Sequence, residues 1–132
     1  WEMAYSQTSA SYQTGMLDAL QRNGTIHFVE GNGRLNDRIS YELTGGHCKF
    51  HQTFLIDDAG ETVFFGGDIL PEAKQLLTKF MAKYDYEPRK AMELREAYGK
   101  RAAAGDWTCL FYHENNNPTG KVVLDEGVFR IV

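Results

Sequence analysis

Residues Gly45 to Asp68 read GGHCKFHQTFLIDDAGETVFFGGD, and the order of features in this stretch decides the fold. A histidine, His47, sits on a glycine-flanked turn. Thr53 to Ile56 forms an apolar run, Ala59-Gly60 a two-residue reversal, and Thr62 to Phe65 a second apolar run that leads through Gly66-Gly67 to Asp68. The polar residues Asp57 and Asp58 beside the reversal suit a hairpin. If the two runs pair antiparallel, His47 and Asp68 emerge at one end of the sheet and Asp57 and Asp58 at the other. Working outward, Thr108 to Tyr112 is a further apolar strand, and it ends on His113. Three strand-end nitrogen and oxygen donors converging on one rim is how a protein holds zinc or a similar divalent ion. The glycines beside His47 tolerate positive φ and close backbone approach, which a ligand pointing back from a sharp loop needs.

The order GGH, strand, turn, strand ending in GGD, then a strand ending in FYH, resembles the C-terminal half of the metallo-β-lactamase superfamily and covers most of the chain. The resemblance implies an α+β fold with mostly antiparallel strands and helices on one face, the C-terminal part of a four-layer αββα sandwich. It implies that His47 holds one metal, that Asp68 bridges two and positions the nucleophile as the catalytic carboxylate, and that His113 holds the second. It implies for His51, the second histidine of G-H-x-x-x-H, a turn-organising role beside the ligands. Asp85, in the D-x-x-P segment before a helix, is implied as a capping or buried hydrogen-bonding residue. Lys49 either faces a substrate carboxylate or is solvated, and solvated is the simpler reading. Cys48 neighbours His47 in sequence and points away from it if the local backbone is extended. The superfamily's H-x-H-x-D-H, which supplies the remaining ligands, occurs nowhere in these residues.

The implied activity is hydrolysis of an ester, lactone, thioester, amide or phosphoester in a small-molecule substrate, by a hydroxide bound to two divalent ions, most often zinc. Three ligands cannot make two sites, so this chain alone is expected to be inactive. The alternative is a non-catalytic relative, or an unrelated α+β binding or structural module in which the three residues are chance. Half a sandwich leaves an apolar sheet face uncovered. That predicts a missing N-terminal segment, a companion chain or a self-association that buries it.

Length and composition set further bounds. At 132 residues, 42% hydrophobic and 24% charged, residues 1–132 suit one core and one unit. A net charge of -4 and the lack of a basic run argue against a nucleic-acid or anionic-membrane surface. No apolar stretch approaches the roughly 18 residues of a membrane span. Two cysteines, Cys48 and Cys109, make no disulfide framework, so the reading is a reduced, cytoplasmic protein. The chain begins with Trp1 rather than Met, as expected of a truncated chain whose leader, if any, lies elsewhere.

In order, Trp1 to Arg22 reads as helix in two pieces broken around Gln7 to Ser9. Tyr12, Met16, Leu17 and Leu20 form a packing stripe, and Asn23-Gly24 is a helix stop. Thr25 to Glu30 reads as a short strand with a structural His27, Gly31 to Gly33 as a turn, and Arg38 to Leu43 as a strand. Glu72 to Lys83 reads as a helix after Pro71, with Ala73, Leu76, Leu77, Phe80 and Met81 on one apolar face. Pro88 opens a second helix that ends at Gly105-Asp106 and buries Ala91, Leu94, Ala97, Tyr98 and Ala102. Its basic residues, Arg95 among them, fall mainly on the other faces. After the polar loop Asn115 to Gly120, strands Lys121 to Leu124 and Val128 to Val132 finish the chain.

Overall fold

A computed structural model describes residues 1–6 and 13–132. They form two compact units, Trp1–Glu30 and Gly31–Val132. The smaller unit has aromatic contacts of its own. Trp1 meets Phe28 edge-on at 5.3 Å between ring centroids and lies tilted against Tyr5 at 6.0 Å. Its helices are α1 (Glu2–Ser6) and α2 (Thr14–Arg22). The Asn-Gly stop works as read: Asn23 donates to the Ala19 carbonyl at 3.2 Å, and Gly24 follows in the left-handed region at φ 66°. The break near Gln7 to Ser9, and Tyr12, lie outside the described residues.

Two readings of this unit are corrected. Thr25 to Glu30 is not a strand, because no described strand pairs with it to complete a hydrogen-bond ladder, and His27 is exposed. Met16 and Leu20 are exposed rather than packed, since α2 buries none of its residues.

In the larger unit seven strands form one sheet in sequence order. They are β1 (Gly33–Arg34), β2 (Ile39–Leu43), β3 (Gln52–Asp58), β4 (Glu61–Phe65), β5 (Thr108–Leu110), β6 (Thr119–Asp125) and β7 (Val128–Ile131). All neighbours are antiparallel except β4 and β5. That one parallel pair requires a crossover, and the chain between them carries α3 (Lys74–Leu77) and α4 (Pro88–Gly105). The β3–β4 hairpin turns on Ala59 and Gly60, both at positive φ (51° and 88°), which matches the right-handed twist of the flanking strands. With Phe54 opposite Phe65 and Asp58 opposite Glu61, the register sends His47 and Asp68 to one end and Asp57 and Asp58 to the other.

Side chains alternate across the sheet, so two faces separate cleanly. Leu55, Phe64, Cys109, Val122 and Ile131 share the face that packs under α4, together with Ile69, Leu70, Tyr98 and Phe111. Phe64 stacks on Tyr98 at 4.7 Å. Burial pushes the Cys109 thiol up to about 12, so this cysteine is a packed apolar group. Ile39, Tyr41, Phe54, Ile56, Val63, Phe65 and Leu110 point the other way, and they make a second, continuous apolar face turned away from α4.

Three element readings are corrected here. The helix read over Glu72 to Lys83 is a single turn, α3; Thr78 is extended (φ -127°, ψ 133°), and Leu77, Phe80 and Met81 are exposed. Beyond that turn, the Phe80 carbonyl accepts from Arg95 at 2.8 Å. In α4, Pro88 stands at the first turn and Asp106 closes the end in the left-handed region, but Ala97 is exposed and Arg95 buried. Strand β5 stops at Leu110 rather than Tyr112, because Phe111 donates to the Pro118 carbonyl at 2.6 Å and the chain turns. No described helix is long and apolar enough to cross a membrane.

Candidate metal centre

Asp68 stands on a 3-10 turn, Gly67–Ile69, immediately past β4. A buried histidine fixes that turn. The Asp68 backbone N–H donates to His51 Nε2 at 3.1 Å, so the ring proton must reside on Nδ1, which faces Thr44 Oγ1 at 2.8 Å. The Thr44 hydroxyl in turn donates to the His51 carbonyl at 3.0 Å. Burial, then the nearby His47, lowers His51 to about 4, so it is neutral at pH 7 and serves as a structural acceptor. Gly67 has φ 51°, and a Cβ there would lie 2.8 Å from His51 Nε2. Gly67→Ala is therefore expected to cost about 1–3 kcal/mol, through strained backbone and a displaced imidazole. Chemical denaturation measures it, and unchanged stability would refute this account of the turn.

His47 reaches the same rim from the other side of the hairpin. Gly45 and Gly46 both take positive φ (65° and 80°), and a Cβ on Gly46 would lie 3.2 Å from Ala91 Cα. The glycines thus let the turn press against α4. His47 Nδ1 donates to Asp85 Oδ1 at 2.9 Å, and Asp85 Oδ2 accepts from Arg95 at 3.0 Å. The side chains of Arg95 and Asp85 are only 2% and 0% exposed. Arg95 also donates to the Ile69 carbonyl at 2.7 Å, one residue from Asp68. A single guanidinium thereby ties the His47 orientation to the Asp68 turn. With its Nδ1 proton engaged, His47 presents the Nε2 lone pair, 3.4 Å from Asp68 Oδ2.

His113 completes the rim. Its backbone donates to the Pro71 carbonyl at 3.1 Å, Glu114 caps the Ala73 N–H at 3.2 Å, and His113 Nε2 lies 3.8 Å from Asp68 Oδ1. Tyr112 donates its hydroxyl to the same oxygen, Oδ1. Its ring is wedged edge-on between His113, at 4.2 Å, and Phe65, at 5.6 Å. Desolvation, and then the Asp68 hydrogen bond, push the Tyr112 phenol up, so it is a donor at neutral pH. Lys49 is exposed, its Nζ 5.0 Å from the Phe50 ring centroid. Burial raises the Cys48 thiol. A cavity of about 420 Å³ lies between α3, α4 and the β6–β7 hairpin; it is lined in part by Arg95 but by none of His47, Asp68 and His113.

Comparison with solved structures gives close matches of architecture. A probable metal-dependent hydrolase from Staphylococcus aureus superposes with a TM-score of 0.72 at 22% identity, over 83% of this chain and 40% of that one. AbOPH, a hydrolase in the beta lactamase superfamily, gives 0.77 at 20% identity over 88% and 40%. AidC, a dizinc quorum-quenching lactonase, gives 0.73 at 17% over 89% and 40%. The chain carries the C-terminal part of the metallo-β-lactamase fold. It spans about 40% of the length of these structures. No protein-family model and no curated protein matches it.

In a metallo-β-lactamase fold the donor chemistry of this rim suits divalent ions. Donors bound at about 2.0–2.2 Å to one tetrahedral ion stand about 3.3–3.6 Å apart, and the His47–Asp68 separation of 3.4 Å meets that spacing. Among the described residues, however, no three His, Cys, Asp or Glu side chains close on one ion. The reason is visible in the carboxylate: His47 addresses Oδ2 and His113 addresses Oδ1. The two histidines thus stand on opposite oxygens of one carboxylate. Sequence reasoning placed His47, Asp68 and His113 here and left Lys49 to solvent, but it missed Arg95, Tyr112 and Thr44. Arg95 had a signal. It lies four residues after Ala91 and three before Tyr98, on the apolar stripe of α4, where a charge must have a buried partner.

Proposed function

We propose that this chain is the C-terminal part of a metal-dependent hydrolase in which His47, Asp68 and His113 hold two divalent ions, zinc foremost. One observation carries the reading: the Asp68 carboxylate lies between the Nε2 atoms of His47 and His113, one histidine to each oxygen. When bound, the ions supply Lewis acidity and bring the pKa of water toward neutrality. The chain's own residues do the positioning. Asp85 retains the His47 Nδ1 proton on the far side of the ring, His51 anchors the turn that bears Asp68, and Tyr112 restrains Oδ1. The substrate is a small-molecule ester, lactone, thioester, amide or phosphoester. The remaining ligands come from outside this chain, as does the layer covering the half-buried apolar face of Phe54, Ile56 and Phe65. That layer is an N-terminal segment, a companion chain or a second copy.

The test is metal removal from the full-length gene product. Chelation is expected to lower hydrolysis of an ester and lactone panel by at least ~100-fold, with zinc restoring it, while the isolated 132-residue chain stays inactive. A second reading, a non-catalytic module of the same fold, draws on the absence among the described residues of a closed three-ligand group. A full-length product that contains no metal and hydrolyses nothing in the panel would establish that reading instead.

A further inference from the structure

Among the described residues Tyr112 is the group that hydrogen-bonds the Asp68 carboxylate, and it does so on one oxygen only. That oxygen, Oδ1, is the one that faces His113; Oδ2, on the His47 side, receives no hydroxyl from any described residue. The phenol is half exposed, yet its ring is held between Phe65 and His113, so the hydroxyl is aimed rather than free. A carboxylate oxygen that accepts an O–H offers a cation less of its lone-pair density, because hydrogen bond and coordination compete for it. The two sides of Asp68 are therefore unequal before any ion arrives. The His47 side is pre-oriented by Asp85 and open; the His113 side is occupied by a donor.

We infer that Tyr112 is a positioning residue for Asp68 that holds the His113-side oxygen until an ion displaces it, so that the His47 side fills first and the His113 side second and more weakly. The inference rests on the two-ion reading of the proposed function. Releasing the phenol on uptake of the second ion leaves a neutral O–H donor at the edge of the loaded site.

Zinc titration of the metal-free full-length protein, wild type against Tyr112→Phe, tests it, with the melting temperature of the metal-free forms measured alongside. In the wild type two binding steps are expected, and His113→Ala removes the weaker one. Tyr112→Phe should tighten the second step by about tenfold, the size of one charge-assisted hydrogen bond, and leave the first step and the metal-free melting temperature unchanged. A second step that is unchanged or weaker in Tyr112→Phe overturns the inference, as does a His113→Ala variant that loses the tighter step. A wild type that takes up fewer than two ions overturns the two-ion reading itself, a separate outcome.

Discussion

Asp68→Asn in the full-length protein is expected to lower hydrolysis by at least ~100-fold, the scale of losing a group that positions the nucleophile. The fold should survive. The turn bearing Asp68 is anchored through its backbone N–H to His51 and through the Ile69 carbonyl to Arg95, and neither contact involves the side chain that changes. The amide keeps an oxygen for the Tyr112 hydroxyl but removes the negative charge, and a neutral amide is a poor partner for two dications. Metal content should drop from two ions toward one or none. Metal content, hydrolysis of an ester and lactone panel and melting temperature, measured side by side, decide the matter. Unchanged metal and unchanged hydrolysis would remove Asp68 from the site.

The second large effect is expected at Arg95, for the opposite reason: here stability rather than chemistry is lost. Arg95→Ala removes donors from the Ile69 and Phe80 carbonyls and from Asp85 at once. It strands a carboxylate whose side chain has no solvent exposure. Breaking one partner of a buried pair costs about 3–5 kcal/mol, a large share of the roughly 5–15 kcal/mol that holds a domain together. Arg95→Lys keeps the charge but cannot serve three acceptors in fork geometry, so an intermediate loss is expected. Adding Asp85→Asn to Arg95→Ala should recover part of the deficit, since the unpaired charge is then gone. Denaturant unfolding of the full-length variants reads all three. An Arg95→Ala protein within about 1 kcal/mol of wild type would show that the buried pair is not holding the rim together.

The contrast between these two residues separates what sequence reasoning could reach from what it could not. His47 and Asp68 were legible because their placement depends on a hairpin whose parts are contiguous: two apolar runs, a two-residue reversal and glycines where the backbone takes positive φ. Such signals are local, and local backbone preferences survive in any tertiary context that tolerates them. The stop at Asn23-Gly24 and the start at Pro88 were legible on the same grounds. His113 was found by its position at the end of an apolar run, although the strand itself proved shorter.

Arg95 was misread because a basic residue on a helix is ordinarily solvated, and its partners lie 10, 15 and 26 residues away. The apparent strand at Thr25 to Glu30 failed for a related reason: alternation supplies a pattern, but a strand exists only if a neighbour accepts its hydrogen bonds. Tyr112 shows the same limit within the site, because nothing in FYH says which neighbour a phenol will meet. By itself, then, the sequence determined the hairpin, the glycine turns and the three donors brought to one sheet end, all through short-range backbone geometry. Only the tertiary structure decided that a buried arginine couples two of those donors, His47 and Asp68, and that a tyrosine claims one oxygen of Asp68, because both depend on which distant groups share the same desolvated space.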